Sequence, residues 1–314
     1  MDPGRPPRIG LVLGGGGLTG TAFHAGVIAG LEQAAGWDAR TAEILVGTSA
    51  GSTSAALLRA GLPPQDFVAR MVGAPLTARG HEVLGAMGPL RSPERVGQRK
   101  RAPAAPRMLG QLVLHPRRVR PGLLAAALLP VGALDVGGSV ARITDLFRAW
   151  PEDPLWVCAV RLDDGQRVVF GRDAQASLSD AVSASCAIPG YYSPVEISGN
   201  RYVDGGMWST HNADLLAGLG LDLVIVSAPM SSAHRKPSDR GSLLRMPIRH
   251  GLDRQVRVIQ RSGTPVVVIQ PDSALASVMG TSTMRLARRG PVAQATRAHV
   301  MALVAAGEVP HLGE

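Results

Sequence analysis

Ile44-Leu45-Val46-Gly47-Thr48-Ser49-Ala50-Gly51-Ser52 reads as a short apolar strand running into a cluster of small residues with a serine at its tip. The pattern Gly-x-Ser-x-Gly lets a chain turn sharply from strand to helix and hold a hydroxyl clear of its own backbone. It works because glycine on either side removes the Cβ atoms that would collide. Ser49 is therefore the candidate nucleophile, and Gly47 and Gly51 are the residues that permit its turn. In a chain with 38 glycines the pattern carries little weight by itself, so its surroundings must decide.

One unit upstream, Arg8 to Leu13 is a compact apolar run of the kind that forms a buried parallel strand, and it ends in Gly14-Gly15-Gly16-Gly17-Leu18-Thr19-Gly20. From Thr21 to Ala35, Phe23, Val27, Ile28 and Leu31 recur at helical spacing, which predicts a helix whose first amides point at the glycine loop. Such a loop offers unpaired N–H groups to an anion, whether a phosphate or a transient oxyanion. Gly15-x-Gly17-x-x-Gly20 formally fits the dinucleotide fingerprint. That reading needs a second strand ending in an acid, and the second strand here ends in the serine turn.

Downstream, Leu57 to Met71 predicts helix, restarted at Pro63-Pro64, and Ser139 to Trp150 an amphipathic helix. Leu155 to Leu162 and Arg167 to Phe170 predict a hairpin through Asp163-Asp164-Gly165. Leu178 to Cys186 predicts a helix. Val195 to Ile197 and Arg201 to Val203 flank a Gly199-Asn200 turn, and the second of these strands delivers Asp204-Gly205-Gly206. An acid at a strand end, followed by glycines that admit close approach, is a placement expected of an active-site carboxylate. Leu221 to Ser227, Ser238 to Arg261, Thr264 to Ile269 and Pro291 to Ala306 continue the alternation of strand and helix. The predicted fold is α/β: a mostly parallel central sheet between helices, one domain over residues 1–314, with Gly80 to Leu134 as an insertion in the place of a lid.

That insertion holds most of the charge. Arg91 to Arg120 carries eight arginines and Lys100 against Glu94, a local balance of +8 in a chain whose formal net charge is +9. Pro121 to Leu134 follows, apolar but too short to span a bilayer, so the pair reads equally as an interfacial segment able to meet anionic lipid and as a solvated arginine-rich loop followed by a core helix. The basic stretch has no aromatic residue on which a base could stack, which argues against nucleic acid. Cys158 and Cys186 have no metal-ligand spacing and sit among apolar or small residues, as buried thiols in a reducing compartment do. The expected location is cytoplasmic, at most peripheral on a membrane, with no cofactor and no metal.

Three motifs now stand in order: Gly14 to Gly20, Gly47 to Gly51, and Asp204-Gly205-Gly206. With Ala184-Ser185-Cys186-Ala187-Ile188-Pro189 ahead of the acid, the arrangement resembles the patatin-like phospholipase family of bacterial type. The resemblance implies a serine acyl hydrolase acting on lipid or other acyl esters. It assigns Ser49 as nucleophile, Asp204 as its base, and the amides of Gly15, Gly16 and Gly17 as oxyanion hole, with Gly205 and Gly206 as motif support. Thr19 departs from the family, which usually has Arg or Lys there. Two alternatives stay open: a Ser-Asp-His hydrolase drawing on His211, His234, His250 or His299, and a catalytically weak scaffold at a membrane. His24 reads as a helix residue in core or surface placement.

Overall fold

The apolar runs become β1 (Ile9–Leu13), β2 (Ile44–Thr48), β3 (Leu155–Arg161), β4 (Arg167–Phe170), β5 (Val195–Ile197), β6 (Asn200–Asp204), β7 (Leu223–Ser227) and β8 (Val266–Ile269). They form one sheet in the order β5-β6-β3-β2-β1-β7-β8, with β4 paired to β3. Neighbours from β3 to β8 are parallel, and the hairpin strands β4, β5 and β6 are antiparallel additions. The structure, a computed structural model, describes residues 5–87, 94–96, 102–114, 120–136, 146–147, 149–232 and 240–312. Most of the expected Ser139 to Trp150 helix, much of Arg91 to Arg120, and His234 lie outside the described residues.

Alternation along the strands divides the core. Leu11, Leu13, Leu45, Val157 and Ile225 face one side, against α1 (Gly17–Ala35), α2 (Ala50–Arg59), α3 (Pro64–Val72), α7 (Leu178–Cys186) and α10 (Arg289–Ala305), a helix preceded by α9 (Ser273–Met279). Val12, Val46, Cys158, Val224 and Val226 face the other, against Leu252 and Ile259 of α8 (Arg240–Arg261). Between α3 and β3 lie α4 (Ala78–Ala86), α5 (Pro106–Leu114) and α6 (Pro121–Leu128). Met108 of α5 and Leu123 and Ala127 of α6 pack on Val160, Leu162 and Val203, which places both helices beside the acid strand.

Two boundaries differ from the expectation. α1 starts at Gly17, because the Gly20 amide already donates to the Gly16 carbonyl at 2.9 Å, so the last glycines of the loop belong to the helix. The β5–β6 turn centres on Ser198 and Gly199, both at positive φ, which frees Asn200 to begin the strand.

The register of β3 positions the site. β4 occupies one edge of β3 along Val157 to Val160. β2 and β6 must therefore share the other edge, β2 parallel as far as Thr48 opposite Cys158, β6 antiparallel as far as Asp204 opposite Ala159. Two strands thus run toward each other and stop one residue apart. The next residue of each chain segment, Ser49 after β2 and Gly205 after β6, leaves the sheet at the same place.

Helix α1 is held against the sheet from behind by α10. A Cβ on Gly26 would fall 2.5 Å from the Ala293 carbonyl oxygen and from the Thr296 Cβ, so the crossing depends on a bare backbone. Gly26→Ala is expected to cost about 2 kcal/mol by forcing the helices apart. Gly85→Ala, where a Cβ in α4 meets nothing within 4 Å, should be neutral or stabilising by up to ~1 kcal/mol. Urea unfolding of the two variants checks the contrast.

Candidate active site

Ser49 has φ 53° and ψ −122°, a conformation that costs a non-glycine residue on the order of 1–3 kcal/mol. Its neighbours show why the turn needs glycine. A Cβ on Gly51 would overlap the Leu13 carbonyl oxygen, and one on Gly47 would fall 2.5 Å from the Ser52 Cα. The turn is then clamped. The Ser49 N–H donates to the Ser185 hydroxyl at 2.8 Å, which donates on to the Cys158 carbonyl at 2.7 Å. The Ser52 hydroxyl holds the Ser49 carbonyl at 2.7 Å. Cys158 lies at the join where β2 stops and β6 has not begun, so Ser185 satisfies a carbonyl at the gap in the ladder.

Asp204 arrives from the opposite strand and is 4% exposed, beside Ser49 at 6%. Its Oδ1 accepts the Gly206 N–H at 2.7 Å, and a Cβ on Gly205 would overlap the Cys158 carbonyl oxygen. Burial pushes the Asp204 carboxyl up to about 6, against the lowering effect of hydrogen bonds from the Ser49 hydroxyl and the Gly206 amide. Ser49 and Asp204 are thus buried side by side where β2 and β6 leave the sheet. Both cysteines are free, with burial pushing each up to about 12.

The glycine loop lies across the same end of the sheet. A Cβ on Gly15 would fall 3.5 Å from the Ser49 Cβ, so Gly15 stands against Ser49. The Gly15 N–H, however, already donates to the Thr210 carbonyl at 2.8 Å, and Gly14 N–H to the Ser227 carbonyl at 3.1 Å. This corrects the set of free donors expected from the glycine pattern. The Gly16 and Gly17 amides have no hydrogen-bond partner among the described residues, and they open α1. Thr19 is buried and its amide donates to the Thr283 carbonyl at 3.0 Å. A buried cation stands behind the loop: Arg245 donates to the Pro229 carbonyl at 3.0 Å. The Pro229 ring in turn packs on Gly16 and Gly20.

Among the described residues, none of the histidines of the triad alternative is hydrogen-bonded to Ser49. His211 is buried against Gly14, with burial first and His24 second pushing it down to about 3. His250 is exposed on α8. His299 meets the Gln270 carbonyl at 3.2 Å. Ser185, Thr210 and Ser227, which hold the turn and the loop, act through hydrogen bonds to residues far from them in sequence. Only Ser185 had a sequence signal, its place in the Ala184 to Pro189 stretch.

The family model for patatin-like phospholipase matches residues 11–217, about two thirds of the chain. Among solved structures, VipD from Legionella pneumophila is similar over 96% of this chain and 67% of its own, at 14% identity and a TM-score of 0.46. The type III effector ExoU is similar over 97% and 54%, at 18% identity and a TM-score of 0.38. ExoU in its heterodimeric complex with SpcU from Pseudomonas aeruginosa gives 96%, 52%, 18% and 0.34. The chain thus spans about half of ExoU and two thirds of VipD.

Asp204 has a thermodynamic signature. Its folded-state value near 6 lies above the ordinary 3.8, so the folded protein binds the proton more tightly. The resulting stability is fully present below pH 4 and is lost as pH rises through 6, by on the order of 3 kcal/mol. Asp204→Asn should remove this slope. Urea unfolding at pH 4, 5, 6 and 7 is expected to show the wild type losing ground steadily to the variant.

Proposed function

This chain belongs to the patatin-like phospholipase family, and on that footing we propose that it is a serine acyl hydrolase that cleaves carboxylic esters of lipids through a Ser49–Asp204 dyad. The observation that carries the reading is that β2 and β6 end against each other on β3 and so bring Ser49 and Asp204 together, both buried, with burial raising the Asp204 carboxyl to about 6. An ordinary aspartate is too weak a base for a serine, and desolvation narrows the gap.

In the proposed course, Ser49 Oγ attacks the ester carbonyl as its proton passes to Asp204, and the oxyanion forms against the Gly16 and Gly17 amides. Collapse expels the alcohol, which takes the proton from Asp204 and leaves Ser49 acylated. Water then attacks the acyl-enzyme, giving its proton to Asp204. Release of the acid returns that proton to Ser49. The strained turn means that no backbone rearrangement is needed to present the nucleophile.

The membrane is the proposed partner. α6 has no polar side chain, and its outer residues Leu124, Leu128 and, just beyond it, Leu129 are 37%, 53% and 39% exposed beside Tyr191 at 47%. Arg120 begins this helix and stacks on Trp208 at 4.0 Å, with Arg167 at 5.7 Å from the same ring. A Cβ on Gly122 of α6 would overlap the Met207 carbonyl oxygen, so the helix rests on the turn just after the catalytic acid. Exposed leucines flanked by arginine fit an anionic lipid surface, and the same position makes the insertion the candidate lid. Among the described residues no helix is long and apolar enough to cross a membrane.

The purified full chain is expected to hydrolyse a short-chain p-nitrophenyl ester and to be labelled at Ser49 by a fluorophosphonate. Ser49→Ala and Asp204→Asn should each lower turnover by at least 10³-fold. Folded protein that neither turns over nor labels is a scaffold, and a histidine variant as inactive as Asp204→Asn favours a triad. Because Asp204 must be ionised to accept a proton, kcat/KM should fall as pH drops through about 6. Binding to anionic vesicles should weaken with salt and with Leu124→Ser/Leu128→Ser. Equal binding by that variant assigns the patch elsewhere.

A further inference from the structure

His24 is fully buried inside α1, at 0% exposure. Its Nε2 lies 2.7 Å from the Gly14 carbonyl oxygen and its Nδ1 lies 2.8 Å from the Ser227 hydroxyl. A carbonyl can only accept, so Nε2 carries the hydrogen. Burial pushes His24 down to about 4, which keeps the ring neutral at ordinary pH. Nδ1 is then a lone pair, and the Ser227 hydroxyl donates to it. Gly14 N–H donates in turn to the Ser227 carbonyl at 3.1 Å. Three hydrogen bonds thus close a ring joining the ends of β1 and β7 to α1.

The consequence falls on one peptide group. The Gly14–Gly15 peptide is held at both of its polar atoms, the oxygen by His24 and the N–H by the Thr210 carbonyl at 2.8 Å. A peptide is planar and stiff, so holding it sets the direction in which the next two peptides leave. Those carry the Gly16 and Gly17 N–H groups. Glycine has wide freedom in φ and ψ, and four in succession would otherwise sample many orientations. His211 closes the other side: a Cβ on Gly14 would fall 2.7 Å from its Cδ2.

We propose that His24 is a positioning residue for acyl transfer: its hydrogen bond to the Gly14 carbonyl holds the glycine loop in the peptide orientation that aims Gly16 and Gly17 at the oxyanion. The role rests on the hydrolase reading above and extends it to a side chain that touches neither substrate nor nucleophile. A histidine serving only the core would be replaceable, at no catalytic cost, by any substitution that leaves the protein folded.

The test compares His24→Phe, which keeps a ring and loses both hydrogen bonds, with His24→Gln, whose amide returns a donor near Nε2. Deleting an oxyanion donor outright typically costs ~10²–10³ in kcat, so His24→Phe should lower kcat about 10- to 100-fold with KM within about twofold, and His24→Gln should recover most of it. Affinity for a trifluoromethyl ketone, which forms an oxyanion on Ser49, should fall by the same factor as kcat/KM. Affinity for the corresponding non-reactive alcohol should not change. Should His24→Phe fail to fold, Ser227→Ala removes only the hydroxyl that orients the ring and is expected to lower kcat about fivefold. Wild-type kcat in either folded variant, or a loss seen as raised KM, overturns the proposal and leaves the hydrolase reading standing. A wild type with no turnover overturns both.

Discussion

Two strands ending against each other on one edge of β3 is the constraint on which the site depends. A parallel β2 and an antiparallel β6 cannot both continue along the same edge, so each must leave the sheet where they meet. The departing residues are Ser49 and Gly205, and the last residue of β6 is Asp204. The nearness of Ser49 to Asp204 therefore follows from backbone pairing and needs no long, flexible side chain to span a gap. It also explains the demand for small residues, since Gly47, Gly51 and Gly205 each sit where another backbone passes within contact distance.

Stability is given up at this junction in two forms. Ser49 holds a backbone conformation that serine does not favour, and Asp204 is a carboxylate taken almost wholly out of water. Neither would persist in a loose region. Here the surrounding core over-determines both, with Ser185, Ser52 and Gly206 supplying hydrogen bonds at fixed positions. Desolvation that disfavours the charged aspartate is also what raises its affinity for a proton, so the energetic liability and the raised basicity are one property.

The strands and most helices were legible in the sequence, and Ser49 and Asp204 stood out as candidates, because these rest on local signals: short apolar runs, glycine before and after a serine, an acid ahead of two glycines. Sequence reading erred by a few residues at α1 and at the β5–β6 turn, where a hydrogen bond rather than composition sets the boundary. What it could not reach is non-local. That Gly15 gives its amide to Thr210 is invisible in Gly14 to Gly17, where the glycines look alike. His24 stands among apolar residues of α1, and its importance lies in the atoms it meets on β1 and β7. α6 read as a core helix or an interfacial one with equal force, and which of its residues are buried (Leu123, Ala126, Ala127) and which exposed (Leu124, Leu128) depends on contacts its own sequence does not show.

The hold of β7 on Gly14 bears on how such a site can diverge. The family match stops at residue 217, before β7 begins at Leu223, yet the Ser227 backbone carbonyl is what anchors the loop. A main-chain carbonyl is the same atom in every amino acid, so selection on this contact leaves almost no mark on residue identity. The last third of the chain can drift in sequence while remaining mechanically part of the glycine loop. A fragment cut where the recognisable pattern ends would keep every motif residue and lose the strand against which the loop is braced.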